Sequence, residues 1–345
     1  MSQGDREQPD DTLEERVGGG RIKLWLLLEA DRRTVTALLV AVLFVSLVAI
    51  GVVYPGARRA LRTGDPVETL FQALVTATIT GVTLVLTLNQ LVLSQELGAV
   101  GDQRERMVGA MEFRSDAAAL FDAPVSPARP AQFLRAFVET AALHARELRD
   151  AVDGRDDELE RAVVELTDSL IDNADRVSDE LDGAAFGEFD VVAAALDFNY
   201  SWKIFEARRI ATVFAEPLDN EATRTLDALI DVLRLFGPAR EHFKTLYFQW
   251  ELIDLSKTIL AAAIPALLVA VGMMIYVDVG TVTGTVFGIA RAVVVVAAGT
   301  TVSLLPFVVL LAYVLRIATV TKHTLSIGPF ILRDTEAIDP IEWEQ

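Results

Sequence analysis

The chain has 345 residues, 52% of them hydrophobic, no cysteine, and a formal charge of −18 at neutral pH. The lack of cysteine excludes disulfides, thiolate metal sites and a cysteine nucleophile, and the acidic balance argues against nucleic acid as a partner. Only five of the 31 basic residues are lysines; acidic, lysine-poor surfaces stay soluble where salt screens their self-repulsion, which points to a salt-adapted host, a halophilic archaeon.

The charge is unevenly spread. Residues 34–96 and 256–320 are almost free of it, whereas residues 97–255 are rich in Asp, Glu and Arg. Residues 1–20 are polar and acidic, with no basic start leading into an apolar core, and are expected to be a disordered tail rather than a secretory signal. The stretch RIKLWLLLEADRR that follows (residues 21–33) is too short to span a bilayer and suits an interfacial helix. A first span is expected from Thr34 to Tyr54, stopped by Tyr54-Pro55-Gly56. A second begins near Val67, leaves the hydrocarbon at Gln95-Glu96 and is expected to run on as helix through GDQRERMVGAMEFR, with Gly98 and Gly101 leaving room for a hinge or break.

Residues 97–255 read as a helical bundle. A loop at Asp122–Pro130 precedes a helix from Ala131 to Val152, with Leu134, Phe137, Ala141, Leu148 and Val152 at helical spacing. Asp156–Leu181 repeats Leu159, Val163, Leu166, Leu170, Val177 and Leu181 in a nearly heptad pattern. A third helix is expected over Asp190–Ala215, and a fourth is capped by Asp219, with Leu226, Ile230 and Leu233 inside and Pro238 kinking or restarting it. The chain then enters a third span, Thr258–Val277, and, after a loop of about a dozen residues, a fourth, Ala292–Ala318. Pro265 and Pro306 lie inside these spans, where neighbours can re-satisfy the freed carbonyls. Residues 321–345 form an acidic tail.

The expected fold is therefore all-α: four transmembrane helices, with a helical-bundle cytoplasmic domain inserted between spans 2 and 3. Its divisions are a tail at 1–20, the interfacial helix with spans 1 and 2 at 21–96, the bundle at 97–255, spans 3 and 4 at 256–320, and the C-terminal tail. Arg21, Lys23, Arg32, Arg33, Arg104, Arg106, Lys257, Arg316 and Lys322 lie on the side shared by the two termini and the bundle. Arg58, Arg59, Arg62 and Arg291 lie on the other. By the positive-inside rule, the bundle and both termini face the cytoplasm of a multi-pass cell-membrane protein.

The second span carries the sharpest signal. Thr69, Gln72, Thr76, Thr80, Thr83, Thr87, Gln90 and Ser94 recur every three or four residues, so at 100° per residue they fall within an arc of about 80°. Leu74, Val85, Leu88 and Val92 occupy the other side. A polar stripe of this length either lines a wet pathway, formed by several copies around an axis, or is buried where membrane helices pack. Ala73, Ala77 and Gly81 beside it form a small-residue run that favours close helix contact. Asn89, on the apolar side, is expected to form an interhelical hydrogen bond.

The remaining motifs have plainer readings. Thr300, Thr301 and Ser303 are expected to satisfy the carbonyl that Pro306 leaves open. Ala262, Ala266 and Ala270 suit helix packing. Phe243, Tyr247, Phe248 and Trp250 suggest an aromatic belt at the membrane interface, with a neck that transmits motion as the alternative. Asp150, Asp153, Asp156, Asp157 and Glu158 miss the calcium-loop spacing and read as a solvated acidic turn. His144, His242 and His323 form no metal-ligand or catalytic pattern, no phosphate loop, G-x-S-x-G or HExxH is present, and no carboxylate sits mid-membrane to relay protons. No enzyme and no cofactor are expected. The expectation is a homo-oligomeric protein of the lipid bilayer, with the stripe lining a path for a small inorganic ion. The alternative is a non-conducting membrane-anchored scaffold or signalling protein whose bundle binds a partner.

Overall fold

A computed structural model describes residues 20, 24–26, 30–54, 56–61, 65–185 and 189–324. The acidic tail expected at 1–20, apart from residue 20, part of the interfacial helix expected at 21–33 and most of the tail at 321–345 lie outside these residues. The regular structure of the described residues is helical, apart from one small hairpin. Its helices are α1 (Arg32–Val53), α2 (Ala57–Ala60), α3 (Pro66–Glu96), α4 (Val100–Leu120), α5 (Pro130–Val152), α6 (Asp157–Leu181), α7 (Phe189–Leu196), α8 (Tyr200–Val213), α9 (Asn220–Tyr276), α10 (Arg291–Ser303) and α11 (Leu305–Thr324). Four of them, α1, α3, α9 and α11, are long and apolar enough to cross a membrane. Two compact units result: one contains Ala99–Tyr247, the other Gly19–Gly98 with Phe248–Val320.

In the charged unit, α5 and α6 pair along the faces that their periodicity marks. Leu134, Phe137, Ala141, Leu148 and Val152 on α5 are fully buried, as are Leu159, Val163, Leu170 and Val177 on α6. Leu226, Ile230 and Leu233 of α9 complete this core. The ring of Phe137 meets Phe133 edge-on at 5.3 Å and Phe236 at 6.2 Å; such pairs add about 0.5–1.5 kcal/mol each beyond their burial. Asp156 caps α6, accepting from the backbone N–H groups of Glu158 (3.0 Å) and Leu159 (2.9 Å), so the acidic turn supplies a helix cap. Asp219 does the same for α9 through Ala222 N–H (2.9 Å) and also takes Arg155 at 2.6 Å. The Ala222 N–H first, and the guanidinium next, hold its carboxyl below the usual range.

Several boundaries depart from expectation. The helix foreseen over Asp190–Ala215 is broken at Asp197–Asn199 into α7 and α8. The break is held by buried Asn173, whose Nδ2 donates to Asp197 O (2.7 Å) and whose Oδ1 accepts from the Asn199 N–H (3.3 Å) and Lys203 Nζ (3.0 Å). Pro238 neither stops nor restarts its helix, since α9 is unbroken from Asn220 to Tyr276. Tyr200 packs where a Cβ on Gly237 would stand, at 2.8 Å, so the residue before Pro238 is a contact surface for α8. Phe243 and Tyr247, expected in an interfacial belt, pack inside the charged unit. Phe243 packs against Phe133 at 6.1 Å and Tyr247 is buried against Phe189 at 5.6 Å.

In the apolar unit, α3 ends at Glu96 and extended Leu97 leads past Gly98 to α4. Val67, Phe71 and Leu74 pack on Ala270 and Met273 of α9 and on Ala292 and Val296 of α10. Val85 packs on Leu255, Ile259 and Ala262 of α9 and on Val309 and Tyr313 of α11. Val35 of α1 meets Ala312 of α11. Ala262, Ala266 and Ala270 are buried, as a small-residue packing face requires. The stretch expected to form a fourth span is two helices, α10 and α11, because Pro306 has no N–H to continue the ladder. Leu304 closes the first by bonding to Thr300 O (2.9 Å), and Phe307 N–H turns back to Leu304 O (3.0 Å). Thr301 Oγ1 donates to Ala297 O at 2.8 Å, not to the carbonyl freed by Pro306, and Ser303 Oγ is buried without a hydrogen-bond partner. The loop before α10 holds a hairpin, Thr285–Val286 paired with Ile289–Ala290. Its two turn residues, Phe287 and Gly288, both have positive φ (51° and 79°), the requirement of a tight two-residue turn.

Candidate functional site

The stripe on α3 is continuous and faces outward. Thr69, Gln72, Thr76, Thr80, Thr83, Thr87, Gln90 and Ser94 are all exposed in the chain, whereas Val67, Phe71, Leu74, Thr78 and Val85 are buried. At 100° per residue the two sets centre about 170° apart. α3 thus buries the strip opposite the stripe within its own chain, while Leu70, Ile79 and Leu84 are exposed along with the polar side. In lipid, the exposed leucines and Ile79 can meet hydrocarbon, whereas the polar stripe needs another partner.

The hydroxyls share one local geometry. Thr69 donates to Asp65 O (2.9 Å), Thr76 to Gln72 O (3.1 Å), Thr80 to Thr76 O (2.9 Å), Thr83 to Ile79 O (2.9 Å) and Thr87 to Thr83 O (3.0 Å). Ser94 donates to Leu91 O at 2.7 Å. Each proton is therefore spent on its own helix, which is how membrane helices carry Thr without an unsatisfied donor. What remains toward the outside is a column of oxygen lone pairs. The exposed amides of Gln72 and Gln90 add donors near its ends, and exposed Asp65 and Glu68 stand at the Pro66 end.

The neighbours of the stripe divide. Ala73 and Ala77 are exposed beside it, while Gly81 lies against α11, where a Cβ would meet the Phe307 ring at 3.2 Å. Asn89 is half-buried. Leu74 and Val85, read from periodicity as the opposite side, are buried, but Leu88 is 45% exposed. Apolar residues of α3 are open as well: Ile79, Leu84, Leu86, Leu88, Leu91 and Leu93 are each at least 40% exposed.

A second polar centre lies inside the apolar unit and has no signature in the sequence. Arg32, at the start of α1, is buried; its Nη2 donates to Glu251 Oε1 of α9 at 3.2 Å, and its guanidinium lies 5.6 Å from the Tyr313 ring centroid. Arg316 of α11, also buried, donates to the Ala30 carbonyl. Two of the cations counted as topology markers thus join α1, α9 and α11 to one another. Their partners are 219 and 286 residues away in the chain, so no local pattern could have revealed them. Among the described residues no group of three His, Cys, Asp or Glu is placed to hold a metal ion.

Fold and stripe together define a helical protein with four membrane-length apolar helices and an outward polar face on the second. The chain belongs to a family of unknown function, DUF7972, whose model matches residues 1–345. No curated protein and no solved structure matches it.

Proposed function

We propose that this protein is a homo-oligomer of the cell membrane in which copies of α3 surround an axis and line a path for small ions. The four apolar helices span the bilayer, and the charged helical unit, with both termini, lies in the cytoplasm as a domain inserted between the second and third spans. The observation that carries this reading is the outward exposure of Thr69, Gln72, Thr76, Thr80, Thr83, Thr87, Gln90 and Ser94, on the side of α3 opposite the residues it buries within its own chain. A stripe this long is costly against lipid tails and is relieved by water or by a polar neighbour. One four-span chain cannot enclose a path, so the stripe asks for further copies. Val100, Met107, Val108 and Met111 on α4 are also exposed, each by at least 47%, and offer apolar surface for assembly. Asn89 supplies its interhelical bond to a neighbouring copy in the same ring. Because the hydroxyl protons are spent internally, the lining is rich in acceptors and suits a cation better than an anion.

Exposed Ala73 and Ala77 favour a second reading. With small residues beside it, the stripe can form a tight seam between helices, in a non-conducting scaffold or signalling protein whose charged unit binds a partner. The chain lacks cysteine, so single cysteines at Thr76, Thr80, Thr83 and Thr87 separate the two. Reaction of all four positions with a water-borne thiol reagent, together with conductance of the purified protein in planar bilayers, is the expected result. Protected positions and silence at every salt and voltage would establish the seam instead.

A further inference from the structure

The apolar unit contains a cavity of about 680 Å³ between α1 and α9, floored by α11. Its three walls grade from polar to apolar in the same direction. On α1 the lining runs from Arg32 and Arg33 to Val40, on α9 from Lys257 to Ala261, and on α11 from Tyr313 to Leu305. The eight helical steps from Leu305 to Tyr313 give the graded floor a length of roughly 12 Å. The polar end carries Arg32, Arg33 and Lys257 against two acids: Glu251 takes Arg32 at 3.2 Å, and Asp254 takes Lys257 at 3.2 Å. Arg33 thus leaves one cation in excess, in a chain whose net charge is −18. Arg32 is held in place by Glu251 and by the Tyr313 ring, while Arg33 and Lys257 are exposed.

We infer that this groove binds an anionic phospholipid, the phosphate between Arg33 and Lys257 and an acyl chain along Val40, Ala261 and Leu305. A basic mouth over an apolar trough between membrane helices is what recognises such a lipid, and the volume lies in the range of small-molecule sites. A zwitterionic headgroup gains less from the excess positive charge, and a free phosphate gains nothing from the trough. The inference rests on placing these four helices in a bilayer but not on a pore, so a protein that proves silent leaves it standing.

The test uses the full-length protein, delipidated in detergent and titrated with phosphatidylglycerol, phosphatidylcholine or inorganic phosphate, with bound lipid read by native mass spectrometry. Phosphatidylglycerol is expected to be retained, phosphatidylcholine not, and millimolar inorganic phosphate should fail to displace it. Arg33→Gln with Lys257→Gln should weaken binding about thirtyfold, the loss that two juxtamembrane cations bring. Ala261→Phe leaves every charge in place, fills the trough and should abolish retention, which covers the case in which the charge variant misfolds. Undiminished binding by either folded variant overturns the inference, as does equal retention of the two lipids or full displacement by phosphate. Disulfide cross-linking of Ala261→Cys between two copies would also overturn it, by showing that protein occupies the groove.

Discussion

Valine at Thr80 and Thr83 tests the stripe with little change of shape. In the isolated chain both hydroxyls are exposed and donate only to their own helix, to Thr76 O and Ile79 O at 2.9 Å. Their removal should therefore alter folding by no more than about 0.5 kcal/mol per site. In an assembled path, each copy loses two oxygens that face the ion. A hydrogen-bond-type contact to a charged group is worth about 1.5–3 kcal/mol, and about 1.4 kcal/mol is a factor of ten, so even one lost contact per ring lowers conductance roughly tenfold. The assay is single-channel recording in planar bilayers, alongside thermal melting in detergent. Thr319→Val is the control: Thr319 makes the same kind of bond, to Leu315 O at 2.7 Å, on α11 and away from the stripe. Equal conductance in the double variant and the parent, or an equal loss with Thr319→Val, would refute the assignment.

Other consequences concern stability. Phe137→Ala empties a fully buried ring site that touches Phe133 and Phe236; a cost of about 3–5 kcal/mol is expected, measured by denaturant unfolding of the full chain. Gly299→Val places a Cβ 3.0 Å from Phe71 and 3.1 Å from Met273, where α10 crosses α3 and α9. The overpacking should cost about 1–3 kcal/mol, seen as a lower melting temperature in detergent, whereas Gly109→Val, with nothing within 4 Å, should stay within about 1 kcal/mol of the parent. Asp219 has a folded-state pKa below its unfolded value. Its stabilising contribution is thus present above the unfolded pKa of about 4 and is lost as pH falls through the folded value. Asp219→Ala should lower the melting temperature at pH 7, and the gap to the parent should close on acidification; a gap independent of pH would contradict the linkage.

Much of this architecture is written in periodicity. The α5 and α6 faces, the apolar lengths of α1 and α3 and the Asp219 cap follow from spacing and local chemistry, because each depends on residues within a few turns of one another. The same holds for the stripe, since a helix fixes which side chains share a face. Three features required the folded chain. The direction the stripe faces depends on Phe71, Leu74 and Val85 meeting α9, α10 and α11, contacts that span up to the full separation of the four apolar helices. Arg32 and Arg316 look like topology markers in the chain and become internal ties only when Glu251 and Ala30 arrive beside them. The break between α7 and α8 is set by Asn173, a buried amide on another helix that satisfies backbone groups at Asp197 and Asn199. Local sequence determines the polarity of each surface; which surface is covered depends on long-range packing, and that packing leaves the threonine column of α3 on the outside.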